Sequence, residues 1–348
     1  MTGAGIPAGR RAIQLYTLRD IMTTANAVRQ VLDALGAMGY TEVEMAGHYG
    51  LTAAQLRRTL DRAGLRAVSG HDGFDFVNPD WEQYKRDLDY AVTLGQVFTG
   101  FPWWGGPYDE AHFRLLAQRL REAAELARRA GLRFFYHNHN FEFENKDADG
   151  RPLFDVLLHG TSRDEVLFEL DLYWITRGGA NLLAYLSADP ARYPLYHVKD
   201  RTWEDRPGEE DWEDAGPGAI DFRDIFDAGD GGGGLDKHYV IEHDNPFLSH
   251  PGDAQAPLTT ARVGRVRDRM DARAGEQQIL LVTHYGWMHF FLGLTLFRDA
   301  FGPEHLQPLW LAGHANTGVS IFERRRRVMD GMDFSGWGMT TWNDQAHV

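Results

Sequence analysis

The chain has 348 residues and no cysteine, which excludes disulfide bonds, thiolate metal sites and cysteine nucleophiles, so any bound metal must be held by His, Asp, Glu or Asn. Its formal net charge of −14 argues against a nucleic-acid partner, because nucleic-acid binding depends on clustered Lys and Arg side chains. No uncharged apolar run is long enough to span a bilayer and the N-terminus lacks a signal-peptide pattern, so we expect a cytoplasmic protein with no membrane partner.

Short apolar runs alternate with amphipathic helical patterns from Ala12 to about Pro246, as in a parallel sheet with crossover helices. The strand candidates, in chain order, are "AIQLYTL", "EVEMAG", "RAVSGHDG", "QVFTGFPWW", "RFFYHNHNFEF", "VLFELDLYW", "LYHVKD" and "HYVIEHD". Eight parallel strands are the number that closes a barrel. The sequence therefore predicts an α/β fold, a (β/α)8 TIM barrel over residues 1–248, followed by a smaller, incomplete α/β segment over residues 249–348.

Two helices between these strands are predicted in detail. One covers Asp109 to Ala130, with Asp109 as its N-cap and Gly131 just past its end. The other lies in "LTAAQLRRTLDRAG", where Leu56 and Leu60 face the core and Gly64 ends the helix. These residues are interpreted as structural.

Polar residues gather at the carboxyl ends of the predicted strands, where barrel enzymes place their catalytic groups. They are Glu44, His71, Asp72, His137, His139, Glu142, Glu169, Asp171, His197, Lys199, Asp200, Glu242, His243 and Asp244. Each alone has an ordinary explanation as a core histidine or a solvated loop residue. Together they would repel one another and resist burial unless a cation lay among them. The sequence thus predicts an oxygen-rich site with one imidazole for Mn²⁺, Mg²⁺, Co²⁺ or Zn²⁺.

The pieces "IQLYTLRD", "HNHNFEF", "DLYW", "HVKD", "GPGAIDF" and "VIEHDNP" resemble, in this order, the xylose-isomerase-like sugar isomerases and epimerases. This group includes inosose dehydratases and 3-keto-sugar epimerases, and the resemblance covers about residues 12–246. It implies one divalent ion, Mn²⁺ first, held by Glu142, Asp171, His197 and Glu242. Strand alternation puts His137 and His139 on one face, so Glu142 reaches the mouth only if the fifth strand has ended or bulged before it.

The resemblance implies metal-dependent proton abstraction next to the carbonyl of a keto-sugar or cyclitol, through a metal-stabilised enediolate. Glu142 and Glu242 would remove and return the proton, giving epimerisation, isomerisation or dehydration. Lys199 and His71 are candidates for proton transfer to oxygen. The predicted substrate-binding residues are His139, Trp103, Trp104, Trp174 and Glu44, although barrel-mouth packing explains the tryptophans equally well.

The C-terminal segment shows a second resemblance. "ILLVTHYG", "HANTGVSIFE" and "WNDQAH" resemble the later half of the histidine phosphatases, which implies that His284 contacts a phosphate, with Asn316 close by. The Arg-His-Gly motif that supplies the nucleophile of that family is absent, so its covalent step is missing. We expect this segment to dock on the barrel, to pair with another subunit in a homo-oligomer, or to be poorly ordered.

Within the same segment, a helix is expected from about Thr260 to Ala274, although it could equally be the eighth barrel helix. Strands are expected at "QQILLVTH" and "GVSIFER", and the run Arg324 to Arg327 is interpreted as a solvated strand end. Two other functions remain open for the whole chain. One is phosphate-ester hydrolysis, through the barrel metal or a completed phosphatase domain; the other is sugar binding without catalysis.

Overall fold

The structure is a computed structural model that describes residues 8–202, 211–215, 218–229, 236–250, 252–261, 319–329 and 332–344. His284 and Asn316, the residues of the phosphatase-like resemblance, lie outside these ranges. No helix within them is long and apolar enough to cross a membrane.

Eight parallel strands form the barrel. Their bounds, with those of a short antiparallel pair inserted before the last, are β1 Arg11–Ile13, β2 Glu42–Met45, β3 Arg66–Gly70, β4 Phe98–Phe101, β5 Arg133–His137, β6 Leu167–Asp171, β7 Leu195–Val198, the pair β8 Asp200–Arg201 and β9 Trp212–Glu213, and β10 His238–Ile241. Six strands share one sheet in the order β1-β10-β7-β6-β5-β4, and β2 pairs with β3. Isolated bridges from Gln14 to Glu44 and from His71 to Gly100 join this pair to the sheet on both sides. The predicted TIM barrel is confirmed.

Helices follow the strands around the barrel. They are α1 Ala25–Met38, α2 Ala53–Ala63, α3 Trp81–Leu94, α4 Glu110–Arg129, α5 Phe141–Glu144, α6 Leu153–Gly160, α7 Leu172–Arg177, α8 Leu182–Ala188, α9 Phe222–Gly229 and α10 Pro246–Ser249. Both helices predicted in detail are confirmed. The Asp109 side chain accepts a hydrogen bond from the His112 N–H of α4, and Gly64 ends α2 with a φ of 71°.

All eight barrel strands end before their predicted ends, and in three cases the residues that the strand lacks belong to a helix. The segment "LYTL" belongs to a 3-10 helix, Leu15–Ile21, while "FEF" lies in α5 and "LYW" in α7. Polar residues at the strand ends cause two of these changes by capping the next helix. Gln14 accepts a hydrogen bond from Tyr16 N, and Asp171 accepts one from Trp174 N at 2.8 Å. The periodicity of apolar residues does not indicate these caps, because the apolar pattern continues through them.

The barrel interior and the layer between strands and helices are both apolar. Side chains from seven strands fill the centre: Ala12, Val68, Phe98, Phe135, Leu167, Leu195 and Val240. Outside the strands, α4 buries Phe113, Leu116 and Leu120. Because the centre is filled, polar groups concentrate at the carboxyl ends of the strands.

The first residues of the predicted C-terminal segment pack against the barrel. Residues 256–261 are helical, and Ala261 is buried in the apolar cluster of the N-terminal strands and helices. Tyr40 Oη donates a hydrogen bond to Ala261 O at 2.9 Å, and Thr260 Oγ1 donates one to Asp214 at 2.7 Å. This packing favours the alternative in which the helix near Thr260 belongs to the barrel.

Farther along, strands β11 Val319–Met329 and β12 Met332–Asp344 form an antiparallel pair. The predicted strand "GVSIFER" therefore exists but is longer than expected. The interpretation of Arg324 to Arg327 as a strand end is wrong, because each of the four pairs with a residue of β12 in the middle of the ladder.

Candidate metal centre

Three residues from neighbouring strands form what we call the mouth cluster: Asp171, His197 and Glu242. One ligand atom of each lies within 4.8 Å of the others. His197 Nδ1 is 2.6 Å from Glu242 Oε2 and 3.7 Å from Asp171 Oδ2. These three atoms are buried, and the two carboxylate oxygens also form ion pairs with the ammonium of Lys199. All three atoms face a common point beside Lys199, and carboxylate oxygens with one imidazole fit a coordinated cation there.

Lys199 lies beside the cluster and is almost fully buried. Its Nζ is 2.7 Å from Glu242, 3.0 Å from Asp171 and 3.0 Å from Asp244. Burial opposes its charge, but these carboxylates outweigh burial and hold the pKa of Lys199 well above its usual value. Burial also acts against ionised Glu242, yet Lys199 and His197 lower the pKa of that carboxyl. Both groups are therefore charged in the folded protein.

Glu142, the fourth predicted ligand, is not within the 4.8 Å group. Strand β5 ends at His137, and Glu142 lies in α5. The strand has therefore ended before Glu142, which is the condition under which Glu142 can reach the mouth. Tyr136 Oη donates to one of its oxygens at 2.7 Å, and His139 N donates to the other at 2.9 Å. Burial raises the pKa of Glu142 to about 8 despite these hydrogen bonds.

Four further residues form a second group, the imidazole network: Glu44, His71, His137 and Glu169. Glu169 Oε2 lies 2.8 Å from His71 Nε2, 3.2 Å from His137 Nδ1 and 3.1 Å from His197 Nε2. The imidazoles of His71, His137 and His197 and the carboxylate of Glu169 have ligand atoms close enough together to hold a metal as well. Burial opposes the imidazolium of His71, but Glu44 and Glu169 raise its pKa to about 10. Glu44 is fully buried in this network and does not line the pocket that is described next.

A pocket of about 690 Å³ lies at the mouth. The predicted residues His139, Trp103 and Trp174 line it, and Trp103 is 56% exposed. Trp104 does not line it; its ring packs against Phe76 and Phe113 in the core. The residues that complete the lining are Tyr16, Arg19, Tyr108, Asn140, Phe141, Glu144, Asn145, Trp212, Asp244 and Asn245.

Sequence reasoning missed several of these lining residues. Arg19 stands in the "QLYTLRD" motif, and its guanidinium donates to the backbone oxygens of Tyr16 and Asp244 while lying 3.9 Å from the Tyr16 ring centre. Trp212 belongs to the two-residue strand β9, inserted after the seventh barrel strand. The motif could have indicated Arg19, whereas so short a strand has no periodicity that marks Trp212.

Comparison with known proteins identifies the family of this chain. The chain matches the xylose isomerase-like TIM barrel family over residues 32–256, and no curated protein is significantly similar to it in sequence. A sugar phosphate isomerase/epimerase from Parabacteroides distasonis is 22% identical, with a TM-score of 0.60 over 77% of this chain and 96% of that one. The IolI protein, solved with a zinc atom, is 14% identical, with a TM-score of 0.58 over 78% of this chain and 100% of that one.

A third similar structure is the probable 3-DHS dehydratase AsbF from Bacillus anthracis. It is 14% identical, with a TM-score of 0.57 over 75% of this chain and 99% of that one. At such identities the structures establish a shared fold, and the family match covers most of the barrel described above. The chain belongs to the xylose isomerase-like TIM barrel family.

Proposed function

We propose that the protein is a divalent-metal-dependent isomerase or epimerase that removes a proton next to the carbonyl of a keto-sugar or keto-cyclitol. Dehydration is a third outcome of the same step. The observation that supports this most is the mouth cluster, whose three buried ligand atoms lie within 4.8 Å of one another. Lys199 brings one positive charge to the three carboxylates it contacts, so with the neutral His197 that a metal ligand requires, a charge of −2 remains for a divalent cation to balance.

We assign the cation to Asp171, His197 and Glu242, with Glu142 as the fourth ligand that the family resemblance implies. Carboxylate oxygens with a single imidazole suit Mn²⁺, Mg²⁺, Co²⁺ or Zn²⁺, and Mn²⁺ is our first choice. When bound, such a cation would polarise a substrate carbonyl and so acidify the neighbouring C–H.

We assign proton removal and proton return to Glu142 and Glu242. The hydrogen bonds from Tyr136 and His139 N fix the carboxylate of Glu142 in one orientation, which a general base requires. Lys199, whose Nζ lies 2.7 Å from Glu242 Oε2, is assigned proton transfer to the substrate oxygen. His71 remains a second candidate for that transfer.

We expect an unphosphorylated substrate. Among the described residues that line the pocket, Arg19 is the only Lys or Arg, and its guanidinium already donates to two backbone oxygens. Glu144 and Asp244 add negative charge to the same wall, which disfavours a phosphate. Trp103 and Trp174 present rings that can stack on the apolar face of a sugar.

The proposal is tested by product analysis on a panel of keto-sugars and inososes, each with its phosphorylated counterpart where one exists. Metal-stripped protein is assayed alone and after addition of Mn²⁺, Mg²⁺, Co²⁺ or Zn²⁺. We expect turnover of an unphosphorylated member only with metal, and at least a 100-fold loss in Glu242→Gln. The control is Glu42→Gln, a buried carboxylate on β2 paired with Arg66 and His238. Equal turnover by stripped and reconstituted protein would contradict the proposal.

A further inference from the structure

The ring of His197 is held from both sides. Its Nε2 lies 2.6 Å from Glu44 Oε1 and 3.1 Å from Glu169 Oε2, whereas its Nδ1 faces the mouth cluster, 2.6 Å from Glu242 Oε2. The side chain is fully buried, so water does not compete for either nitrogen. When a cation takes one nitrogen, the other keeps the proton, and Glu44 is the nearest acceptor for a proton on Nε2.

Glu44 is itself fixed by two neutral donors, and its Oε1 also lies 3.2 Å from His71 Nε2. Gln14 Nε2 donates to Oε1 at 2.7 Å and Ser69 Oγ donates to Oε2 at 2.5 Å. The orientation of the Gln14 amide is settled because its oxygen accepts a hydrogen bond from Tyr16 N. An ionised carboxylate only accepts hydrogen bonds, so its contact with His197 requires an N–H on Nε2.

We propose that Glu44 is a positioning residue for the metal centre: it holds the proton of His197 on Nε2 and so presents the Nδ1 lone pair to a divalent cation at the mouth. A carboxylate that accepts from the free nitrogen of a ligating imidazole fixes both the ring and its tautomer. This inference rests on the proposed function, because it presupposes that the mouth cluster binds the cation.

The imidazole network offers a competing arrangement. If the cation instead bound between His71, His137, Glu169 and His197 Nε2, the proton of His197 would have to leave Nε2. Glu44 would then be a ligand neighbour and not the acceptor that fixes the tautomer. The two arrangements place the cation on opposite nitrogens of one ring, so they can be distinguished directly.

The first test compares Zn²⁺ and Mn²⁺ binding by calorimetry in the wild type, Glu44→Gln and Glu42→Gln. A glutamine amide turned toward Nε2 donates a hydrogen bond, which favours the proton on Nδ1 and competes with the cation. We expect binding 10–100-fold weaker in Glu44→Gln. Glu42→Gln is the matched control, since Glu42 is a buried glutamate of the same strand with a histidine partner, His238. Unchanged affinity in folded Glu44→Gln would overturn the inference, whereas no binding by the wild type would overturn the proposed function itself.

The second test needs no variant and so does not depend on whether Glu44→Gln folds. A crystal structure of the Zn²⁺-loaded wild type shows which nitrogen of His197 faces the ion. Zinc at Nδ1, with Nε2 still on Glu44, supports the inference. Zinc at Nε2, among His71, His137 and Glu169, overturns it.

Discussion

At the scale of single residues, the site depends on buried charges that neutralise one another. Lys199 is the clearest example, because its ammonium contacts Asp171, Glu242 and Asp244 and lies 5.7 Å from the centre of the Trp174 ring. Its removal would leave buried carboxylates facing one another.

Lys199→Met is therefore expected to lower the free energy of unfolding of the metal-free protein by about 3–5 kcal/mol, the usual cost of breaking a buried ion pair. A divalent cation replaces part of the lost positive charge, so added Mg²⁺ should stabilise the variant more than the wild type. Urea denaturation with and without metal measures both effects. An equal response to Mg²⁺ in the two proteins would argue against a cation beside Lys199.

Sequence reasoning found the mouth residues but not their connections. The apolar pattern identifies three strands, and at or near their carboxyl ends lie Asp171, His197 and Glu242. By contrast, the partnership of Glu44 with His197 joins residues 153 positions apart and depends on how the barrel closes between β1 and β2. No local pattern records such a contact, so the sequence alone predicts Glu44 as a substrate ligand and not as a partner of His197.

At the scale of elements, a buried ion pair joins the segment around β9 to the end of α10. His250 Nε2 lies 2.7 Å from Asp214 Oδ2, and Thr260 donates to the other oxygen of Asp214. Burial opposes both charges, but the pairing raises the pKa of His250 and lowers the pKa of Asp214. Asp214 thus connects the segment around β9 both to the end of α10 and to the helix at 256–261.

This pair makes stability depend on pH in a definite direction. The raised pKa of His250 stabilises the fold below about 6.5, the unfolded value, and this contribution is lost as the pH rises through the folded value. The lowered pKa of Asp214 stabilises the fold above about 3.9, and this contribution is lost as the pH falls through its folded value. The difference in unfolding free energy between the wild type and His250→Gln should therefore be largest near pH 5–6. A difference that grows steadily toward pH 9 would contradict the pairing.

At the scale of the whole molecule, the barrel could be predicted because eight strands and their helices repeat one pattern. Its C-terminal boundary at 248 stays a prediction, because "FLSHPGDAQAP" has the composition of a linker although Ala261, after it, packs on the barrel. Ala261 is buried in the N-terminal apolar cluster, and Tyr40 hydrogen-bonds to its backbone. The composition of a segment indicates its local flexibility, but it carries no information about a contact between residues 221 positions apart, such as Tyr40 and Ala261.

Two truncations test where the barrel ends. A chain ending at residue 248 loses the Ala261 packing and the partner of Tyr40, whereas a chain ending at residue 270 keeps both. We expect the shorter chain to unfold at a lower temperature by several degrees, as the loss of one or two kcal/mol would produce. Equal melting temperatures by circular dichroism would support the boundary at 248 instead.

Hydrogen–deuterium exchange at carbon in the substrate is the most direct test of metal-dependent proton abstraction by this protein. The protein is incubated in D₂O with each keto-sugar or inosose and Mg²⁺ or Zn²⁺, which leave the proton NMR spectrum sharp. We predict metal-dependent loss of one carbon-bound proton signal next to the carbonyl, abolished in Glu242→Gln and kept in Glu42→Gln. Turnover of a substrate without any solvent deuterium at that carbon, or exchange that persists in Glu242→Gln at the wild-type rate, would contradict the account.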